Sequence, residues 1–389
     1  SLEGMAGFLQ PALDALGEEC SAQIDSHGGI ATRNPEELLE IFKLLTWAKA
    51  ALTDSEQIPT AELERALQRI APSLRTLRHA NGNLVRFQGG DQGMEGMLDT
   101  ALAACGIKSR NSDGLTMGYA RLSAGRTSVI IDAGPPATGN ASYNAHASTL
   151  AFELTSGRRP LIVSCGSGAH LGPDWHRAGR ATPSHSTLCL GGYSSARLGK
   201  PVKTSGLFRE FLVEAPKIVP VEMSQTAEGV KFEGAHSGYV PPFGLTHARK
   251  LSLSLDGRSL VGEDLLIALN DTTGKAAETV LSEDIDPNVD FQIRFHLHPE
   301  VDAALDLGGT TVAIAAKSGE IWIFRHESNL FLTIEPGVYL EKNQPTPRAS
   351  RQIVLSGMVN DALTRAQWSL SKTQDTAMAI RDLRLEELR

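Results

Sequence analysis

The stretch that decides how this chain is read is Tyr143-Asn144-Ala145-His146-Ala147-Ser148-Thr149-Leu150-Ala151-Phe152-Glu153-Leu154. After the Gly157 turn comes Pro160-Leu161-Ile162-Val163-Ser164-Cys165-Gly166-Ser167-Gly168. Trp175, Arg177, Arg180, Thr182 and the run Ser184-His185-Ser186-Thr187-Leu188 follow. The pattern predicts two apolar strands, His146 to Leu154 and Leu161 to Cys165. A loop with two Arg comes next, and a His opens a third strand. Polar groups this dense beside short strands mark either a site at a sheet edge or a hairpin whose polar side chains satisfy one another.

Working outward, short strands continue on both sides. Upstream they include Gly118 to Leu122 and Thr127 to Asp132. Downstream they include Val230 to Glu233, Ala248 to Leu255, Asp290 to His298, Thr310 to Ala315, Ile321 to Arg325, Phe331 to Glu335 and Gln352 to Leu355. Gly, Asp and Asn punctuate the runs. This spacing predicts a large antiparallel sandwich. Helices do not alternate with the strands, which argues against parallel α/β.

The segment from Leu2 to about Arg78 reads as helical. Asn34 is a good N-cap with Pro35 at the first helical position, and Glu36 and Glu37 suit the first turn. Further helices are expected at Thr60 to Ile70 and around Ser73 to His79. Leu84 to Phe87 reads as a strand, and Met94 to Ala104 as a short helix ended by Gly106. The expected class is all-β dominated, α+β overall. A helical domain over 1–80 precedes a sandwich over 81–373, and a charged, helix-prone tail covers 374–389.

The net charge of −8 argues against a general nucleic-acid binder. An acidic polysaccharide would need a local basic cleft, which Arg158, Arg159, Arg177 and Arg180 could form. The four cysteines, Cys20, Cys105, Cys165 and Cys189, are scattered without a CxxC pair, so neither a zinc ribbon nor a disulfide framework is indicated. A reducing compartment fits slightly better, though periplasmic proteins also hold few cysteines. No window reaches the ~18 consecutive apolar residues of a membrane span. No signal peptide is visible, and the chain starts Ser-Leu-Glu. A soluble protein of cytoplasm or periplasm is expected, and an N-terminal portion could precede this start.

Several chemistries fit the organising stretch. His146 and His185 could hold a zinc ion with Cys165 as third ligand, since Ser164 is a poor donor. Such a site would suit a metal-dependent hydrolase. Cys165 near a His could also be a thiolate nucleophile, or an inert buried thiol. His296 and His298 alternate on one strand and face one side. There is no phosphate-binding GxxxxGK[ST] loop. Asn140 and Asn270 begin glycosylation sequons.

The chain resembles the heparinase II/III-like proteins, a group of bacterial polysaccharide lyases and relatives, from about Gln23 to Leu370. In that family an α/α toroid precedes the sandwich, with the active cleft between them. The family's HAHxDxLSFEL strand is matched by Asn144 to Leu154. Its LVDPG strand is matched by Ile162 to Gly166, and its R-x-x-R-S-T-x-x-HNT segment by Arg177 to Thr187. The helices here resemble the end of the toroid.

The resemblance implies β-elimination at a uronic acid. The substrate carboxylate is neutralised, a base takes the C5 proton, and an acid protonates the leaving oxygen. It would place Asn144 and Arg180 on the carboxylate. His146, His185 or Tyr143 would move protons, and Arg177, Trp175, Arg33 and Glu37 would line the substrate. Some relatives hold a structural zinc through two His and an Asp.

The departures fall on the working positions. The first His of HAH is Asn144, and the Asp after the second is Ser148. The Asp of LVDPG is Ser164, and the Tyr of the helical ERSPMYH motif is Glu37. The resemblance therefore supports two readings. One is a lyase acting on an acidic glycan, with no cofactor or at most a structural zinc. The other is a glycan- or envelope-binding protein without the base.

Overall fold

A computed structural model describes residues 4, 6–108, 114–204, 206–268, 289–306, 308–327, 330–359 and 363–374. The expected tail helix after Gln374 and the sequon at Asn270 lie outside the described residues. Four helices open the chain: α1 (Ala6–Gln23), α2 (Pro35–Asp54), α3 (Ala61–Thr76) and α4 (Met97–Cys105). Asn34 caps α2 as expected, its side chain accepting from the Glu36 and Glu37 N–H groups. The two helices expected over Thr60–His79 are one. Pro72 sits inside α3, and the strong apolar stripe of Leu63, Leu67, Ile70 and Leu74 carries the helix through it. These residues are buried against Leu38, Leu39 and Phe42 of α2, and that core continues through Leu84, Val85 and Phe87 to Leu98 and Leu102.

The sandwich begins with β1 (Tyr119–Ala124), β2 (Thr127–Asp132), β3 (Phe152–Ser156), β4 (Arg159–Val163) and β5 (Leu188–Leu190). A short helix α5 (Pro173–Gly179) lies between β4 and β5. Two small ladders follow, in which β6 (Arg197–Leu198) pairs with β9 (Leu212–Glu214) and β7 (Val202–Thr204) with β8 (Leu207–Arg209). Next come β10 (Val221–Gln225), β11 (Gly229–His236), the single turn α6 (Val240–Phe243), β12 (Thr246–Ser254) and β13 (Ser259–Ile267). The last strands are β14 (Val289–Leu297), β15 (Val301–Leu305), β16 (Thr311–Ala316), β17 (Ile321–Glu327), β18 (Phe331–Tyr339), β19 (Arg348–Val359) and β20 (Leu363–Gln374).

They form two antiparallel sheets. The first runs β1-β2-β3-β4-β14-β19-β18, with β5 also on β14. The second runs β10-β11-β12-β13-β20-β17-β16-β15. Alternate residues of each strand point inward, as the period of two requires. Phe152, Phe295, Phe324 and Trp368 fill the space between them, the Phe152 and Trp368 rings stacked at 5.6 Å. Gly262 pairs with Trp368 across the ladder, and a Cβ there would lie 2.1 Å from the indole. Only glycine leaves room for that ring.

One expected strand is absent and another is shortened. Leu84 makes only an isolated bridge to Arg78, because the segment is folded into the helical core. The strand expected from His146 begins at Phe152. Before it, side chains and loop groups take the place of a ladder. The Gln88 side chain accepts from His146 N–H, Arg180 O accepts from Ala147 N–H, and Arg249 donates to Leu150 O. Leu150 turns the chain with φ of 64°.

Candidate functional site

The helices meet the first sheet along a seam, and most residues singled out in the sequence lie there. Asp132, at the end of β2, is fully buried. It accepts from Arg33 at 2.6 Å, Gln88 at 2.8 Å and Ser148 at 2.6 Å. Arg33 also donates to the carbonyls of Met117, Gly118, Gly134 and Pro135. Its own carbonyl accepts the Tyr119 hydroxyl at 2.7 Å. Burial disfavours the guanidinium charge, but Asp132 prevails and its pKa is raised. Arg33 therefore bolts the helices to the sandwich. It has no donor left over for a substrate.

Arg86 makes a second bolt. It reaches Asp91 at 2.9 Å, Ser164 O at 3.2 Å and Leu340 O, and its guanidinium lies 4.0 Å from the centre of the Tyr339 ring. Asp91 accepts from Lys342 N–H at 2.7 Å, and Lys342 pairs with Glu36 at 3.2 Å. Neither Arg86 nor Asp132 stands out in the sequence. Each is an ordinary residue in a strand or loop, and only the long-range contact gives it a role.

His146 and His185 are brought together. His146 Nδ1 lies 3.2 Å from His185 Nε2, and His185 Nδ1 lies 3.2 Å from the Ser164 hydroxyl. Both are buried. Burial pulls the pKa of His185 down to about 3, with His296 adding to it. Burial and then His185 pull His146 well below its ordinary value. Both imidazoles are neutral at physiological pH. His146 Nε2 is buried without a protein partner.

Cys165 is not with them. Its sulfur sits 3.4 Å from His296 Nδ1, and burial pushes the thiol up to about 12. It is held as a thiol, unsuited to act as a thiolate nucleophile at neutral pH. Two imidazoles and a serine hydroxyl are not the donor set of a structural zinc. Among the described residues, no three His, Cys, Asp or Glu side chains converge on one point.

Arg180 is buried, and its guanidinium donates to the carbonyls of Ala145, Ser142 and Glu210 at 2.8, 2.8 and 2.9 Å. It clamps the loop that carries Asn144. Arg177 is exposed and ion-paired with Glu210. Trp175 lies partly exposed on α5. Glu37, in the first turn of α2, accepts the Thr32 hydroxyl at 2.7 Å.

Tyr143 and Asn144 keep part of their surface in solvent. The Arg209 guanidinium lies 4.9 Å from the centre of the Tyr143 ring. Burial and then Glu37 raise the Tyr143 pKa. Gly89 passes so close to Asn144 that a Cβ would lie 2.8 Å from the Asn144 Cβ, and its φ is +85°. The loop Gln88-Gly89-Gly90 thus fixes the height at which Asn144 stands. The seam gathers Glu37, Tyr143, Asn144 and Arg209 at its accessible side and buries His146, His185, Arg180 and Arg33 behind them.

A helix-to-sandwich seam of this kind, with its two His on loops beside the first sheet, defines a polysaccharide-lyase type of fold. The heparinase II/III-like C-terminal region matches residues 107–372, and the chain belongs to the heparinase II/III-like family. It is 31% identical over 376 residues to FtsZ-localized protein C of Caulobacter vibrioides (strain NA1000 / CB15N), covering 94% of this chain and 62% of that protein.

Among solved structures, a heparinase III superposes with a TM-score of 0.71 at 14% identity, over 97% of this chain and 57% of that one. A heparan sulfate lyase HepC mutant from Pedobacter heparinus gives 0.68 at 13% identity, over 95% and 56%. These likenesses confirm the antiparallel sandwich with N-terminal helices. The chain spans 62% of the length of FtsZ-localized protein C and 57% of the heparinase III. No helix among the described residues is long and apolar enough to cross a membrane.

Proposed function

We propose that this chain is a glycan- or envelope-binding member of the family without β-elimination activity. One observation carries this reading. The imidazoles of His146 and His185 and the guanidiniums of Arg33 and Arg180 are buried and engaged within the seam. β-Elimination needs a base that reaches the C5 proton. Burial and the nearby Glu37 raise the Tyr143 pKa, which disfavours the phenolate form as that base. Glu37 already takes the Thr32 hydroxyl. Tyr143, Asn144 and Arg209 are suited to hydrogen-bond and stack against a sugar ring.

The reading also draws on FtsZ-localized protein C. Its name supports a place for this protein where FtsZ is found. A fluorescent fusion that never gathers at midcell would remove that part of the reading.

A second reading is favoured by Asn144 beside Tyr143 and by the likeness to heparinase III. Here the Asn144 amide hydrogen-bonds a uronate carboxylate, Tyr143 takes the C5 proton and gives it to the leaving glycosidic oxygen as that bond breaks, and the protein is a lyase on an acidic glycan. Incubation with heparan sulfate and alginate separates the two readings. Retention of polymer with unchanged chain length supports binding, and shortened chains support the lyase.

A further inference from the structure

On the far side of Arg180 lies a groove of about 910 Å3, walled by the β6–β9 ladder, the Tyr193 to Ala196 loop and the turn before α6. Tyr143, Asn144 and Glu37 do not line it. We propose that this groove docks an acidic peptide segment of a protein partner, anchored by a large apolar side chain. The inference is independent of whether the seam turns over glycan.

Charge is the first argument. Arg177, Arg180, Arg197 and Lys217 line the groove, with Glu214 the carboxylate among the lining residues. Arg177 pairs with Glu210 just outside the lining, and Arg197 pairs with Glu214. Three exposed cations, with the buried Arg180 behind them, thus face two carboxylates. On a chain of net charge −8 this is a basic island, and it selects an anionic partner.

The wall chemistry decides between a peptide and a glycan. Leu212, Val213, Ile218, Pro241 and Pro242 make much of the lining. Val213 and Ile218 are 61% and 75% exposed, and Tyr193 is 59% exposed with its ring edge-on to Phe243 at 5.4 Å. Among the described residues the lining holds no Asn, Asp or Gln. Sugar hydroxyls are recognised by planar amides and carboxylates, which the described lining offers only in the ion-paired Glu214. Aliphatic walls gain instead from burying an apolar side chain, which peptide segments supply. The exposed β-ladder and the Ser194 and Ser195 loop add backbone and hydroxyl groups for an extended chain.

The probe is a phage-displayed random-peptide library selected on the whole chain, with the enriched peptides then titrated by fluorescence polarisation. Selected peptides are expected to be net negative with a Leu, Ile, Phe or Val. Lys217→Glu and Ile218→Asp are each expected to weaken binding by about tenfold. Both positions are exposed, so melting curves should match the parent chain. Enrichment without acidic bias, or affinities unchanged in both variants, would overturn the proposal. So would two other occupants that both variants release: heparan sulfate oligosaccharides bound in place of peptide, or a second copy of the chain detected by light scattering.

Discussion

The seam and the sandwich interior each bury a network of charged and histidine side chains, and the two are finished differently. In the interior, Asp264 accepts from Arg249 at 2.8 and 3.1 Å, from His247 at 2.7 Å and from Trp368 at 2.9 Å. His247 Nδ1 meets His236 Nε2 at 3.2 Å, and His236 Nδ1 accepts from Gly238 N–H at 3.1 Å. These contacts fix one proton direction, from Gly238 through His236 and His247 to Asp264. Burial opposes the Asp264 charge, yet Arg249 and His247 hold its carboxyl well below the usual carboxylate range.

At the seam the chain from Ser164 through His185 ends at His146, whose Nε2 has no protein partner. A complete network is what structure alone requires. The seam network instead leaves one buried imidazole nitrogen without a protein partner.

The interior network should prove the more costly to break. Asp264→Ala leaves Arg249 buried without its counter-charge and is expected to cost about 3–5 kcal/mol in urea unfolding. A loss under about 1 kcal/mol would mean that the interior network is not what closes the sandwich. Asp132→Ala is expected to cost less, about 3 kcal/mol, because Arg33 keeps its backbone carbonyls. An equal or greater loss would invert the comparison.

Acid should weaken both regions. The buried histidines are neutral when folded, with His185 down at about 3 and His296 at about 4. Unfolded histidine takes up a proton near pH ~6.5, so the unfolded state binds more protons below that pH. Stability should be flat above about 6.5 and fall towards pH 4 by about 1.4 kcal/mol per pH unit for each such histidine. Chemical denaturation at stepped pH measures this, and a flat profile down to pH 4 would contradict the buried neutral pair. A last substitution, Ser164→Asp, is read by composition. It supplies a carboxylate beside His185, and metal analysis should show about one zinc per chain in the variant. Stoichiometric zinc already present in the parent chain would show that two imidazoles and a hydroxyl suffice.

The sandwich was legible because its strands alternate and are separated by Gly, Asp and Asn, and the helix after Asn34 was legible from its cap. The order of the three motif segments located the seam. What the sequence did not show is where polar side chains spend their hydrogen bonds. Arg180 sits in a motif position that suggests a substrate carboxylate and Arg33 in one that suggests the substrate lining, yet their donors go to carbonyls far away in the chain. His146 lies in a stretch that reads as a strand, but Gln88, Arg180 and Arg249 serve its backbone in place of a ladder. Cys165 is next to Ser164 in sequence and turns instead to His296. His236, His247, Arg249 and Asp264 had no local signal, since a buried quartet spread over three strands shares no motif.

We propose that the seam retains the family's fold without its base. This is tested most directly by following near-ultraviolet absorbance while the protein, beside its Asn144→His variant, is incubated with heparan sulfate, alginate and other uronate polymers. No unsaturated product is expected from the parent chain on any polymer, with any rise confined to Asn144→His, which sets an imidazole at the accessible side. A rising signal from the parent chain, lost when Tyr143 is changed to Phe, would contradict it and make the protein a lyase.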